Sequence, residues 1–541
     1  MRAFFRDIQW ISDHRLGRLA LSWIILATTL RYIFAGMVPL ANDEAYYWDW
    51  GRALQLSYYD HPPGVSWLAV AGNWLGGLVA RGLSWGLDGE QSALGLLSVR
   101  AVIPILHCLG TLIVLAIVGR IGRERIDATS ASAVLHRVMV LTQLAPVVSL
   151  GGIFLMPDAG LLVAVSFVAW MVLSKLLPEE KKSPPFARGP GLSAGDGIAL
   201  GVLCGSAGLF KYHAVALCGG LIFALIWLRR TELASDKYFW IATILTGFLM
   251  CTPVWVWNLQ HQMASFSFQA SHGFGGLHFQ PLFAARLLLG LIVFFSPYLF
   301  WHLIASPLAR VIQIRTWSGL TSGEAVLIAG AFPLMAIIIA LAPFKQILPH
   351  WLVPSMWLLI PLAALRQPRW PRLWSMNALF AGAFSLVLAI CVGVPYVRNM
   401  VITGTNNRPG GLGEMTVWSP LVSDLRVAEL AHTAARLAAP DRETCPKPFA
   451  WASMRWYSVA QLAFALPGRP KVWSMETGRY YYHFRDQLTD LAGCTVLAIG
   501  ETGHYDSRWF GDHFNKFQSG EIVVQGHDDR PFAWTIGKYV P

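Results

Sequence analysis

The chain has 541 residues, 55% of them hydrophobic and 13% charged. A soluble protein of this size carries roughly 25% charged residues, so the composition excludes an ordinary soluble enzyme and points to an integral membrane protein. The net charge of +11 is spread over short loops rather than gathered on one face, which excludes nucleic-acid binding and fits loops that orient membrane helices.

Arg2, Arg6, Arg15 and Arg18 precede the first apolar run, 19–40. That run is longer than the roughly 7–15-residue core of a signal peptide, and no A-x-A site follows, so it reads as a retained helix. About 20 apolar residues carry a helix across a bilayer. By that measure eleven spans are expected: 19–40, 93–118, 134–153, 159–177, 195–210, 214–228, 239–257, 282–304, 325–341, 351–365 and 374–394. Residues 195–228 are split because one straight helix of that length far exceeds a hydrocarbon core about 30 Å thick. Lys175, Lys181, Lys182 and Arg188 precede that pair, and Arg229, Arg230 and Lys237 follow it. Both flanks then face the cytoplasm, with an even number of crossings between them.

The inner loops so defined hold 20 Lys and Arg, with Arg120, Arg123, Arg125, Arg137, Arg310, Arg315, Arg366, Arg369 and Arg372 among them. The short outer loops hold four: Arg52, Arg81, Lys211 and Lys345. The N-terminus is therefore expected inside and everything after Tyr396 outside. Trp67, Trp74 and Trp85 read as interface anchors. From about Arg398 the long apolar runs stop. Residues 421–438 pattern as an amphipathic helix, and 448–453, 471–475 and 495–500 as short strands. The expected fold is thus an α-helical integral membrane protein with about eleven transmembrane helices (1–396) and a small C-terminal α/β periplasmic domain (397–541). Cys445 and Cys494 of that domain either pair in an oxidising compartment or are two buried thiols. The other five cysteines lie within spans and read as packing residues.

The chemistry concentrates in the first outer loop, 38–92. Asn42-Asp43-Glu44-Ala45-Tyr46-Tyr47-Trp48 sets adjacent carboxylates where the first helix emerges, and Tyr58-Tyr59-Asp60-His61-Pro62-Pro63-Gly64 follows in the same loop. Charges within spans are costly and usually functional. By the topology above, Arg31, Arg100, Asp158, Lys211, His213 and His350 all fall in the outer leaflet, as lining for a cavity at the membrane–water boundary. His107 lies deeper. Structural roles are open to each: Asp158 as a helix cap, Lys211 reaching to the interface, Arg31 and Arg100 neutralising structural carboxylates, His107 and His213 as satisfied helix histidines, Asp43 and Glu44 as a capping pair. Phe274-Gly275-Gly276-Leu277 forms an outer-loop segment able to close over a substrate, or simply a mobile loop.

These residues resemble the GT-C glycosyltransferases, in the clade of protein O-mannosyltransferases and the lipid A aminoarabinose transferase, and are similar in particular to rhizobial lipid A galacturonosyltransferases. The motifs are Asp43-Glu44, Tyr59-Asp60-His61-Pro62-Pro63, Pro157-Asp158, Phe210-Lys211, Trp257-Asn258-Leu259-Gln260-His261 with Ser265-Phe266-Ser267-Phe268-Gln269, and Leu348-Pro349-His350-Trp351 with Pro354. They cover residues 19 to about 365; the tail matches only in position. The resemblance implies Asp43 as the catalytic carboxylate with Glu44 in support. It implies Lys211 at a donor phosphate, with His61 at the position of a second phosphate-facing residue; the topology adds Arg100 to the phosphate site, and Tyr46, Tyr59, Asp158 and His350 are expected to line the substrate pocket. A divalent metal on Asp60 and His272, with His278 as the alternative histidine, is implied as well. Two positions depart from the family: Tyr46 stands where an Arg is common, and His61 where a phosphate-facing Lys is.

No inner loop is long enough for a soluble nucleotide-sugar domain. The expected donor is therefore a monosaccharide on a polyprenyl phosphate. The expected reaction is an inverting transfer to a hydroxyl or phosphate of lipid A, a glycan or a protein, on the periplasmic side of the inner membrane. The rival is a polyprenyl-lipid flippase; transporters tend to carry internal repeats and midplane sites, and no repeat is evident.

Overall fold

The computed structural model describes residues 2–12, 15–82, 93–122, 126, 130–176, 191–232, 235–314, 320–404, 413–438, 445–446, 448–476, 480–524 and 530–541. Trp85, Arg123, Arg125, Lys181, Lys182, Arg188 and Arg315 lie outside the described residues. The chain forms two compact units that interleave in sequence. One comprises Met1–Tyr32, His61–Val65 and Val102–Val387, the other Ile33–Asp60, Ser66–Ala101 and Leu388–Pro541.

The first unit is helical. Its central helices are apolar on nearly every side, as segments buried among neighbours or lipid must be. Ile103–Gly122, Pro157–Leu176, Ala214–Leu228, Ser322–Leu341 and Val353–Leu365 share one core. Small residues set the closest approaches. A side chain at Gly220 would lie 1.9 Å from the Ala329 carbonyl oxygen, so only glycine lets those two helices touch there.

Five described helices are long and apolar enough to cross a membrane, or seven if each of two bent pairs is one span. Five more apolar helices are shorter. Three expected spans are broken rather than straight. Residues 134–153 run as a helix, a π turn at Val140–Leu144 and a new helix at Pro146–Gly151. The stretch 239–257 bends by 51° where Lys237–Met250 meets Thr252–Gln260. The stretch 282–304 turns by 105° between Pro281–Phe295 and Pro297 onward, with Ser296 at φ 72°. Pro146, Pro253 and Pro297 each open the following helix and cannot donate into the preceding one. Residues 195–228 do form two helices, Ala194–Phe210 and Ala214–Leu228.

The second unit is built on a five-stranded sheet of order β2-β1-β3-β5-β4: β1 Ala450–Ser453, β2 Val472–Ser474, β3 Thr495–Glu501, β4 Phe514–Ile522 and β5 Phe532–Tyr539. β1 pairs in parallel with β2 and β3, with Trp451 opposite Val472 and Leu497. β5 is antiparallel to both β3 and β4. The first three strands lie where the apolar runs put them. The β4–β5 hairpin escapes sequence reading because polar residues and a register shift between Asn515 and Gln518 interrupt its alternation. Helix Leu425–Leu437 occupies the amphipathic stretch, and Cys445 is joined to Cys494 by a disulfide. Helix Asn42–Arg52 lies in this same unit, against helix Trp456–Ala465. The Phe464 ring stands edge-on to Trp48 at 5.0 Å, and Trp456 lies 4.7 Å from Tyr46. This aromatic packing makes the acidic segment part of the tail's unit rather than a free loop.

Candidate active site

The two adjacent carboxylates have opposite surroundings. Glu44 is fully buried, while Asp43, one residue earlier in the first turn of Asn42–Arg52, is exposed. Glu44 Oε2 accepts from the Ala41 backbone N–H at 3.0 Å, which caps the start of the helix. Its two oxygens also receive Nε and Nη2 of Arg100, Nε at 2.7 Å. Arg100 is itself fully buried and donates further to the carbonyls of Ala35, Val38 and Pro39. Those bonds occupy all five guanidinium donors. Arg100 therefore has no N–H left for a donor phosphate, and Glu44 anchors the helix that carries Asp43.

Tyr46 is also reassigned. It is buried beneath Trp50, Trp456 and Tyr482 rather than lining an open pocket. Its hydroxyl donates to Asp60 Oδ2 at 2.7 Å and accepts the Tyr481 backbone N–H at 3.0 Å. Tyr59 packs at 5.6 Å from Phe484. Burial pushes the Asp60 carboxyl up to about 7, against the pull of the Tyr46 hydrogen bond and with some help from the charge of Asp43. A carboxyl raised on folding binds its proton more tightly in the native state. Its stabilising contribution is complete below the unfolded value near 4 and is lost as pH rises through about 7. Asp60→Asn is neutral at every pH. Its melting temperature relative to wild type is expected to climb by a few degrees from pH 4 to 7 and then level; a difference independent of pH would show that Asp60 is not desolvated.

In the first unit, a second set of predicted residues comes together. Lys211 Nζ donates to both oxygens of Asp158, at 3.0 and 2.9 Å. Phe210 explains how they meet. Its ring lies where side chains on Gly64 and Gly160 would be, at 2.5 and 2.3 Å. Only glycines at these two positions let the Pro62-Pro63-Gly64 turn and helix Pro157–Leu176 close on Phe210. Lys211 follows Phe210 directly, Asp158 lies two residues before Gly160, and His61 lies three before Gly64. His61 feels the charges of Lys211, Asp158, His272 and His350; burial first, and Lys211 second, pushes its imidazole down to about 3. His61 is therefore a neutral hydrogen-bonding group, in keeping with the loss of positive charge at the position of the family's lysine. His350 opens the turn Pro349–Leu352 within electrostatic reach of Asp158 and Lys211. His213 Nδ1 is buried with no hydrogen-bond partner among the described residues.

Arg31 and His107 belong to a separate buried network: Arg31 donates to the Ser149 carbonyl and the Gln143 side chain, and His107 Nε2 meets the Thr142 carbonyl at 2.9 Å. His272 stacks on Phe268 at 5.3 Å and, with His278, borders a cavity of about 330 Å³ that also includes Gln280, Phe283, Lys345 and Trp351. Among the described residues, no group of three or more His, Cys, Asp or Glu side chains is placed to hold a metal. Asp60 is engaged by Tyr46 and His272 stacks on Phe268; no step below uses a metal.

Sequence reading missed the tail residues around the acidic helix. Asp49, buried, accepts from Arg485 at 2.7 Å, from the Tyr482 hydroxyl at 3.0 Å and from Arg52 at 3.0 Å. Gln461, also buried, donates to the Leu40 carbonyl and Asn42 Oδ1 at 3.0 Å each. The run Tyr480-Tyr481-Tyr482 was the available signal, since adjacent tyrosines in a polar tail need a partner surface for their rings.

No protein-family model matches the chain, and no curated protein matches it. Solved structures do. The crystal structure of ArnT from Cupriavidus metallidurans bound to undecaprenyl phosphate aligns with a TM-score of 0.58 at 14% identity, covering 96% of this chain and 98% of that one. The apo form of the same protein aligns with a TM-score of 0.56 at 15% identity, covering 95% and 98%. The chain therefore has the fold of that protein over almost its whole length, tail included.

Proposed function

We propose that this protein is an inverting glycosyltransferase of GT-C type, which moves a monosaccharide from a polyprenyl-phosphate donor to a hydroxyl or phosphate acceptor at the outer face of a bacterial inner membrane. The observation that carries the reading is the near full-length likeness to a protein crystallised with undecaprenyl phosphate. The chain's own residues support it. A polyprenyl phosphate offers an apolar tail and a compact anion. Lys211 has three N–H donors and spends two on Asp158, which leaves one for a phosphate oxygen. Neutral His61 adds a hydrogen bond without adding charge, and His213 has a ring nitrogen to spare.

The reaction follows from these roles. Asp43 takes the proton of the acceptor hydroxyl, whose oxygen bonds to the anomeric carbon. The bond from that carbon to the phosphate oxygen breaks on the opposite face, and the electron pair leaves with the polyprenyl phosphate. A single displacement inverts the anomeric configuration. Lys211 stabilises the charge that grows on the leaving phosphate, the kind of preorganised electrostatic help that contributes most in a site shielded from water.

The reading is tested by incubating membranes that carry the protein with polyprenyl lipids extracted from a deletion strain, and following envelope lipids and glycans by mass spectrometry. A new glycosidic product is expected; lipid movement across the membrane with no product would replace the transferase reading by the flippase. Lys211→Met, combined with Asp158→Asn so that no buried carboxylate is left unpaired, is expected to raise the KM for the donor lipid about tenfold, the loss of one charge-assisted hydrogen bond. An unchanged donor KM removes Lys211 from the phosphate site.

A further inference from the structure

We infer that Gln461, in the tail helix Trp456–Ala465, is a positioning residue for Asp43, so that the tail takes part in catalysis. The inference rests on the assignment of Asp43 as the base. Asp43 is exposed and stands between two residues that are held fast. Residue 44 is fixed from one side by Arg100, which also grips the carbonyls of Ala35, Val38 and Pro39. Residues 40 and 42 are fixed by a single amide: Gln461 Nε2 lies 3.0 Å from both the Leu40 carbonyl and Asn42 Oδ1. The same tail helix supplies Trp456 to Tyr46 and Phe464 to Trp48, so it braces the first two turns of Asn42–Arg52.

The other half of the Gln461 amide shows why this is more than packing. Its Oε1 is buried with no hydrogen-bond partner among the described residues, and the side chain is wholly inaccessible. A buried acceptor without a donor is destabilising. An apolar side chain of the same length would forfeit the bonds to Leu40 and Asn42 but relieve this stranded oxygen, so the two effects offset and the amide is explained by the backbone it orients. Small displacements of a reacting group are expensive: about 1 Å can lower a rate 10²-fold.

The test compares Gln461→Met with wild type, using full-length protein in membranes and donor lipids extracted from a deletion strain. Gln461→Met is expected to melt within a few degrees of wild type, because the lost bonds to Leu40 and Asn42 are offset by removal of the stranded Oε1, to keep its donor KM within about twofold, and to lose about tenfold or more in kcat. In a double-mutant cycle, Asn42→Ala is expected to add little to Gln461→Met, because both remove the same restraint. A wild-type kcat overturns the inference, as does a kcat loss that tracks a lowered melting temperature. Asp43→Asn in the same assay separates the two levels. If it is inactive while Gln461→Met is unimpaired, only the positioning role fails. If Asp43→Asn transfers at the wild-type rate, the base assignment fails and the positioning role fails with it.

Discussion

Asp43→Asn is expected to abolish transfer while the protein still folds and still binds its donor lipid. The substitution keeps the shape of the side chain and removes its basicity. Asp43 is exposed in the first turn of Asn42–Arg52, and the attraction between its carboxylate and the helix N-terminus is worth about 0.3–1 kcal/mol, a small cost to the fold. General-base help is worth about 10²–10⁴-fold in rate, and that is the size of kcat loss to look for, with donor KM unchanged. Glu44→Gln should behave differently. It weakens a buried ion pair, so its defect should appear as lowered thermal stability, with activity falling as folded protein is lost. If Asp43→Asn retains the wild-type rate, or if Glu44→Gln loses kcat at unchanged stability, the two carboxylates have exchanged roles: Glu44 is the base and Asp43 its support.

The second large effect is on folding. Arg100→Met removes the countercharge and two donors from a buried carboxylate, and donors from the carbonyls of Ala35, Val38 and Pro39. Removing one partner of a buried ion pair costs about 3–5 kcal/mol, whereas replacing both by apolar residues is often neutral or better. We therefore expect little folded Arg100→Met protein from detergent extracts, and partial recovery when Glu44→Met is added. Recovery should stop short of wild type, since the three carbonyls still lack donors. A single Arg100→Met variant that melts like wild type would return Arg100 to the set of phosphate ligands.

These two expectations turn on a distinction that residue order does not carry. Asp43 and Glu44 are equivalent by sequence: same charge, same motif, same end of the same helix. Their difference arises from helical phase, which turns one side chain outward and the other toward Arg100, 56 positions later. His61 makes the same point. The motif shows only that a lysine is missing there; burial near Lys211 is what keeps the imidazole uncharged. Lys211 and Asp158 were both singled out from the sequence, but their pairing depends on Phe210 settling over Gly64 and Gly160.

The sequence by itself determined the features that depend on local pattern. The length and apolarity of the helical segments, the split of 195–228, three of the five strands and the amphipathic tail helix are all read from periodicity, because hydrophobic burial acts on each element through its own repeat. The tertiary structure alone decided where spans break sharply, which of two carboxylates is buried, and that Gln461 and the tyrosines of the tail hold the acidic helix. Those outcomes depend on donors and acceptors far apart in the chain, each able to satisfy only a fixed number of bonds, so the choice among partners is made by packing and not by pattern.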